Sequence, residues 1–214
     1  MPTPTTKAFR VGIICGSQRK PRCGDQISHF VLETVRNHSK STNPDLQNDL
    51  FDFDFIDIHE LDLPFYDEPG IPSKITPPEG YTHEHTRKWS QRISPLDAFI
   101  FVTPQYNWGY PAGLKNAIDY LFHEWNGKPA VIVSYGGHGG DKAAAALSVC
   151  LAGGLDMQVG DKMVVNLSFP NRDALYAAAQ GKDLGLDARQ KGGVWSKERQ
   201  YITGAWNQMV GMLL

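Results

Sequence analysis

The sequence predicts an α/β domain built on one parallel sheet with helices on both faces. Short apolar runs alternate along the chain with segments of helical periodicity, the pattern of strands joined by crossover helices. One run, Asp97 to Thr103 (DAFIFVT), is apolar almost throughout, as a central strand covered on both faces must be. Three of the runs lead into loops of unusual chemistry: Gly16 to Asp25, Pro104 to Tyr110 and Tyr135 to Gly140. In a parallel sheet such loops share the carboxyl edge, where ligands bind.

The elements follow in order. Residues 1–8 read as a flexible polar lead-in. The first strand is Phe9 to Cys15, stopped by Gly16-Ser17. A helix from Gln26 to His38 follows, with Ile27, Phe30, Val31, Thr34 and Val35 at helical spacing. Ser39 to Asp49 is a polar linker. Phe51 to Ile58 (FDFDFIDI) alternates apolar and acidic residues, which predicts an edge strand with its acids on the solvated face, not a metal cluster. Leu63 to Gly80 carries Pro64, Pro69, Pro72, Pro77 and Pro78 and must be a long irregular connection, a kind of loop that often covers a site. Thr82 to Ser94 is helical, acidic early and basic late, matching the helix dipole.

After the central strand, Pro111 opens a helix whose inward face is Leu114, Ala117, Ile118 and Leu121. The fourth strand is Ala130 to Ser134, and Gly139-Gly140 opens a further helix carrying Ala143 to Ala146, Leu147 and Leu151. A fifth strand is expected near Val159 to Val165. Phe169 to Gly193 shows no clear pattern and reads as loop with a short helix at most. Residues 194–214 supply a last helix, with Trp195, Ile202, Trp206 and Val210 on one side.

Composition narrows the function classes. At 214 residues the chain suits a single domain, 1–214, with a full core. With 21 basic and 23 acidic residues it has no global field for nucleic acid or an anionic membrane. It has no membrane-spanning apolar run, and the start lacks the apolar core of a secretory leader. The three cysteines, Cys15, Cys23 and Cys150, fit a reducing, cytoplasmic setting. Cys23 falls in a polar loop beside Arg22, a setting that lowers a thiol pKa, but no CxxC or partner gives it redox work. The histidines show no metal spacing, and GxSxG is absent.

The first loop, GSQRKPRCGD, joins a strand to a helix, so its amides and the helix N-terminus favour an anion. Ser17 offers a hydroxyl, Arg19 a planar fork, and Lys20 and Arg22 more positive charge. The pattern is neither GxxxxGK[ST] nor GxGxxG; a terminal phosphate fits it, and so does a solvated basic turn. In PQYNWGY, Gln105 and Asn107 supply amides while Tyr106 and Trp108 supply aromatic faces, which together suit a heteroaromatic ring. Trp108 and Tyr110 also read as margin or subunit-contact residues. The glycines of SYGGHGG bring backbone N–H groups close to a ligand, and His138 reads as a polar, partly exposed residue, not a general acid.

GSQR after the first strand, TPQYNWGYPAGLKNAIDYLFHEW after the third and GKPAVIVSYGGHGG at the fourth together resemble the NADPH-dependent FMN reductase family. The likeness is closest to the yeast-type cytosolic FMN-dependent quinone reductases. It runs from about Phe9 to Val165 and is strongest from Val102 to Gly140. It implies a flavodoxin-like three-layer sandwich, strand order 2-1-3-4-5, tightly bound FMN and a homodimer. It also implies that Ser17 and Arg19 hold the phosphate, and that Pro104, Gln105, Tyr106 and Asn107 line the ring and ribityl chain. Tyr135, Gly136, Gly137, Gly139 and Gly140 would face the pyrimidine side. Where several relatives have a Ser and an Asn, this chain has Arg22 and Gly24 or Asp25, so Arg22 is expected to replace the missing donors.

The implied activity is a two-electron, ping-pong transfer from NADPH or NADH to quinones or similar flat acceptors. FMN carries the hydride, so no catalytic side chain and no metal are assigned. The alternative is a non-enzymatic flavodoxin-type electron carrier or a redox-sensing partner-binding flavoprotein. The homodimer also rests on Tyr110, Tyr120, Phe122 and Trp125, read as aromatics outside the inward face of the Pro111 helix.

Overall fold

The computed structural model describes residues 8–42, 50–189 and 192–214. Most of the lead-in and the second half of the polar linker lie outside them. A five-stranded sheet, β1 (Phe9–Cys15), β2 (Phe51–Asp57), β3 (Ala98–Pro104), β4 (Ala130–Gly136) and β5 (Val164–Ser168), is ordered β2-β1-β3-β4-β5. Every pairing is parallel. This is the flavodoxin-like order, and it places the topological switch between β1 and β3.

Alternation along the strands sorts the core into two layers. Val11, Ile13, Ala98, Ile100, Val102, Val131, Val133, Val165 and Leu167 face α1 (Gly24–Thr42) and the C-terminal helix. Ile14, Phe99, Phe101, Ala130 and Ile132 face the other side. β3 is buried at every position, as its apolar run predicted. α1 buries Ile27, Phe30, Val31, Thr34 and Val35, the stripe read from the sequence, but it is longer at both ends than expected.

A short α2 (Ile58–Leu61) follows β2, then the proline-rich connection and α3 (Glu84–Ile93). That connection is held against α4 (Ala112–Asp119): Tyr66 N donates to Asn116 Oδ1 (2.9 Å), Asn116 Nδ2 to Pro64 O (2.8 Å) and Tyr120 Oη to Asp67 Oδ1 (2.8 Å). Buried Glu68 accepts from Thr82 N, His83 N and Thr86 Oγ1, closing the start of α3, and these donors hold its carboxyl below the usual range against the opposing effect of burial. α5 (Asp141–Ser148), α6 (Arg172–Ala179) and α7 (Arg199–Leu213) complete the chain. α7 buries Ile202, Ala205, Trp206 and Met209.

Several expectations are corrected. The fifth strand starts at Val164; residues 161–163 form a 3₁₀ turn instead. Val159 drew the sequence reading upstream, but Gly160 and Asp161 break the run. Tyr120 and Trp125 are fully buried, under the proline-rich connection and against Phe99 and Phe101, so they form no subunit surface. Asp57 does not share the solvated face with Asp52: two apolar residues, Phe55 and Ile56, shift the phase and turn it inward. Cys23 is buried, and burial pushes its thiol up to about 11 despite the charge of Arg19.

Candidate functional site

The three loops meet at the carboxyl ends of β1, β3 and β4. Gly16 N donates to Val102 O (2.9 Å), and a Cβ at Gly16 would lie 2.8 Å from Leu114, so glycine lets α4 close over the first loop. Ser17 is buried, and its Oγ lies 3.2 Å from Tyr106 Oη. This contact ties the first loop to the β3 loop. Arg19 is exposed, with its guanidinium 5.7 Å from the Tyr106 ring centroid. Among the described residues, the amides of Gln18, Arg19 and Lys20 have no protein acceptor. With Ser17 Oγ and the start of α1, they form a donor set suited to a phosphate.

Arg22 has a different position from the one expected. Its Nη1 donates to Asp57 Oδ1 (2.8 Å) and Ser17 O (2.5 Å), and its Nη2 donates to Asp57 Oδ2. The paired side chains are only 14% and 4% exposed. The carboxylate hydrogen bond pushes the arginine pKa further up. Arg22 therefore braces the loop from behind, with its charge neutralised by Asp57. Asp57 also accepts from His59 N (3.0 Å) as the cap of α2. Sequence reasoning missed Asp57; the break in period-two alternation at Ile56 was the available signal.

The β3 loop begins with buried Pro104 and half-buried Gln105. Gln105 Oε1 accepts from Lys142 N (3.1 Å) and Ala143 N (3.2 Å), so its carbonyl caps α5. Its NH₂ remains as a donor at the crevice. Tyr106 and Gly109 exchange two backbone bonds (2.8 and 2.9 Å) around Asn107 and Trp108, whose φ values are 48° and 67°. This is a two-residue turn with both central residues left-handed.

The glycine loop divides. Gly139 and Gly140 are buried with φ of 84° and 79°, and Cβ atoms there would meet Asn166, Ser168 and Ser134 at 3.1 Å. Their role is the turn that starts α5. Gly136 and Gly137 have more space and greater exposure, and His138 is exposed as expected. Tyr135, expected at the ring, belongs to the core layer against α1; a Cβ on Gly24 would lie 2.7 Å from its hydroxyl. Burial raises its phenol pKa well above the ordinary value. Its side chain supports the floor under the first loop, because odd positions of β4 point to that layer.

The arrangement combines an anion cradle, an aromatic and amide shelf, and open glycine backbone along one edge of a doubly wound sheet. It lies at the edge where doubly wound α/β proteins bind ligands, and its donors and aromatic faces suit a phosphate-bearing heteroaromatic ring. The sequence model of the NADPH-dependent FMN reductase family matches residues 9–171, and the chain belongs to that family. NAD(P)H-dependent FMN reductase LOT6 of Saccharomyces cerevisiae is 45% identical over 147 residues, covering 68% of this chain and 74% of the relative. NAD(P)H-dependent FMN reductase C4B3.06c of Schizosaccharomyces pombe is 46% identical over 154 residues, covering 72% and 70%. A quinone reductase of Pseudomonas putida is 39% identical over 135 residues, 60% of this chain and 61% of that one. Among solved structures, the flavoenzyme NAD(P)H:(acceptor) oxidoreductase FerB of Paracoccus denitrificans matches the fold with TM-score 0.54 at 24% identity, covering 95% and 98%.

Proposed function

We propose that this chain is an FMN-dependent NAD(P)H oxidoreductase that reduces quinones, with the overall reaction NAD(P)H + H⁺ + quinone → NAD(P)⁺ + hydroquinone. The observation that carries the site assignment is the Ser17–Tyr106 contact, which joins an anion cradle to an aromatic shelf. Bound FMN supplies the hydride-accepting and hydride-donating ring. Ser17, Arg19 and the free amides of the first loop hold the phosphate. Pro104, Gln105, Tyr106 and Asn107 position the ring and ribityl chain. Gly137, next to Gly136 at the end of β4, offers a backbone donor to its polar edge, while Gly139 and Gly140 fix that loop and Tyr135 supports the floor under the first loop. The crevice takes donor and acceptor in turn, which gives ping-pong kinetics. The quinone reductase among its relatives supports the acceptor class.

Among the described residues no helix is long and apolar enough to cross a membrane. The described cysteines are free, which supports a reducing cytoplasmic setting. The homodimer rests on the family resemblance, now without Tyr120 and Trp125 as its surface. Sedimentation as a monomer at micromolar concentration would remove it from the proposal.

The test is a visible spectrum of the purified protein, then anaerobic NADPH, then a quinone. Bleaching by NADPH and recovery with quinone is the expected sequence. A slow reaction with NADPH and a stabilised one-electron state would favour the carrier reading. A colourless protein that FMN does not reconstitute would end the proposal.

A further inference from the structure

Trp108 is a conformational anomaly at the rim of the crevice. Its φ of 67° is a left-handed value that bulky residues avoid, at a turn position usually filled by glycine. Burial does not offset this, since the residue is 74% exposed. The other four of the five tryptophans are buried. Backbone strain of this kind concentrates at functional sites.

The surroundings indicate what such a ring could meet. Lys142 Nζ lies 5.9 Å from the indole centroid. Gln105, at the base of the same loop, accepts from the amides of Lys142 and Ala143, so Trp108 and Lys142 are held on one framework. Asp141 Oδ2 lies 3.1 Å from the ammonium and shares its charge. Both of those charged side chains are about half exposed (52% and 51%), and Asn107 beside the indole is exposed too. A small flat ring bearing a negative group matches both features: a face for the indole and a counter-ion for Lys142.

We propose that Trp108 and Lys142 form the acceptor subsite, the indole stacking on a fused-ring quinone and Lys142 engaging an anionic substituent on it. This rests on the quinone-reductase reading above. Electrons and protons balance as written there, and neither side chain is consumed.

Steady-state kinetics at saturating NADPH would compare 1,4-naphthoquinone-2-sulfonate, neutral menadione and non-planar ferricyanide. Trp108→Gly restores the residue that the turn geometry prefers, so the variant should fold at least as well as wild type. It should raise KM for both naphthoquinones about tenfold relative to ferricyanide, the scale of one aromatic stack. Lys142→Gln should raise KM for the sulfonate several-fold more than for menadione. Quenching of tryptophan fluorescence by the sulfonate should be strong in wild type and lost in Trp108→Gly. Unchanged naphthoquinone KM, equal losses with ferricyanide, or equal effects of Lys142→Gln on sulfonate and menadione would overturn the subsite. A change of sedimentation with parallel loss for every acceptor would make Trp108 a subunit contact and also overturn it. Failure of the underlying reading is distinguishable, because wild type reconstituted with FMN would then reduce none of the three acceptors.

Discussion

Asp57→Ala tests the internal brace of the first loop. The Arg22–Asp57 pair is two-pronged and largely enclosed, at 14% and 4% side-chain exposure. Removing one partner of a buried pair costs about 3–5 kcal/mol. Arg22 is the more exposed partner and can turn partly toward water, which places the loss near about 3 kcal/mol. Asp57 also caps α2 through His59 N, worth about 1 kcal/mol more. The sum is about 4 kcal/mol, or a fall in Tm of roughly 8–16 °C for a chain of this size. Flavin-free protein is the right material, since bound cofactor raises Tm by mass action. Arg22→Met should cost about 3 kcal/mol, whereas Arg22→Met/Asp57→Leu should lie within about 1 kcal/mol of wild type. Losses that add within about 0.5 kcal/mol would refute a coupled pair. The double variant also separates brace from ligand. It should keep FMN affinity within about threefold, whereas Arg19→Ala should lose about 1.5–3 kcal/mol, the worth of a charged hydrogen bond. Equal flavin losses in the two would make Arg22 a direct phosphate ligand.

The other expectations concern single positions. Gly24→Ala puts a Cβ 2.5 Å from Ser17 Cβ and 2.7 Å from Tyr135 Oη, so urea denaturation should show a loss of about 1–3 kcal/mol; a gain from helix propensity would contradict the packing. Gln105→Leu removes the α5 cap and should cost about 1 kcal/mol. Gln105→Glu keeps that cap while placing a negative charge at the ring, so it should leave Tm near wild type and slow reduction by NADPH; equal slowing in both variants would mean that Gln105 acts only through α5. The Cys23 thiol, pushed from 9.0 to about 11, gives stability that is complete below about pH 9 and lost as the pH rises through 11. Cys23→Ala should flatten that part of the stability–pH curve, and an unchanged slope would sink the assignment.

The fold was legible because burial writes itself into period. β3 buried on both faces reads as an unbroken apolar run, and α1 reads as a stripe. β5 was misplaced because its length is short and its exposed residues interrupt the apolar pattern. Tyr120 and Trp125 were misread for a different reason. Helical spacing around Pro111 puts them outside the sheet-facing stripe, but the proline-rich connection returns to α4, and no local pattern records that covering. Trp108 was legible as a candidate rim residue; its strain was not, because φ belongs to the folded turn.

The site was legible as separate loops, and its errors came from partners contributed by other loops. Arg22 looked like a free cation because its own segment is basic, yet its counter-ion stands 35 positions away at the end of β2. Gln105 looked like a ring ligand at both ends of its amide, yet the carbonyl is occupied by α5 across 37 positions. These pairings alter the expected chemistry. With Arg22 neutralised, the charge available to a phosphate falls to Arg19 and Lys20, both exposed and therefore screened by water. The buried part of the cradle is then Ser17 and backbone amides, with the Arg22–Asp57 pair packed behind them and the Tyr106 contact in front. On the proposed site, phosphate recognition is consequently geometric before it is electrostatic, and moderate salt should weaken FMN less than a basic loop of this composition would suggest.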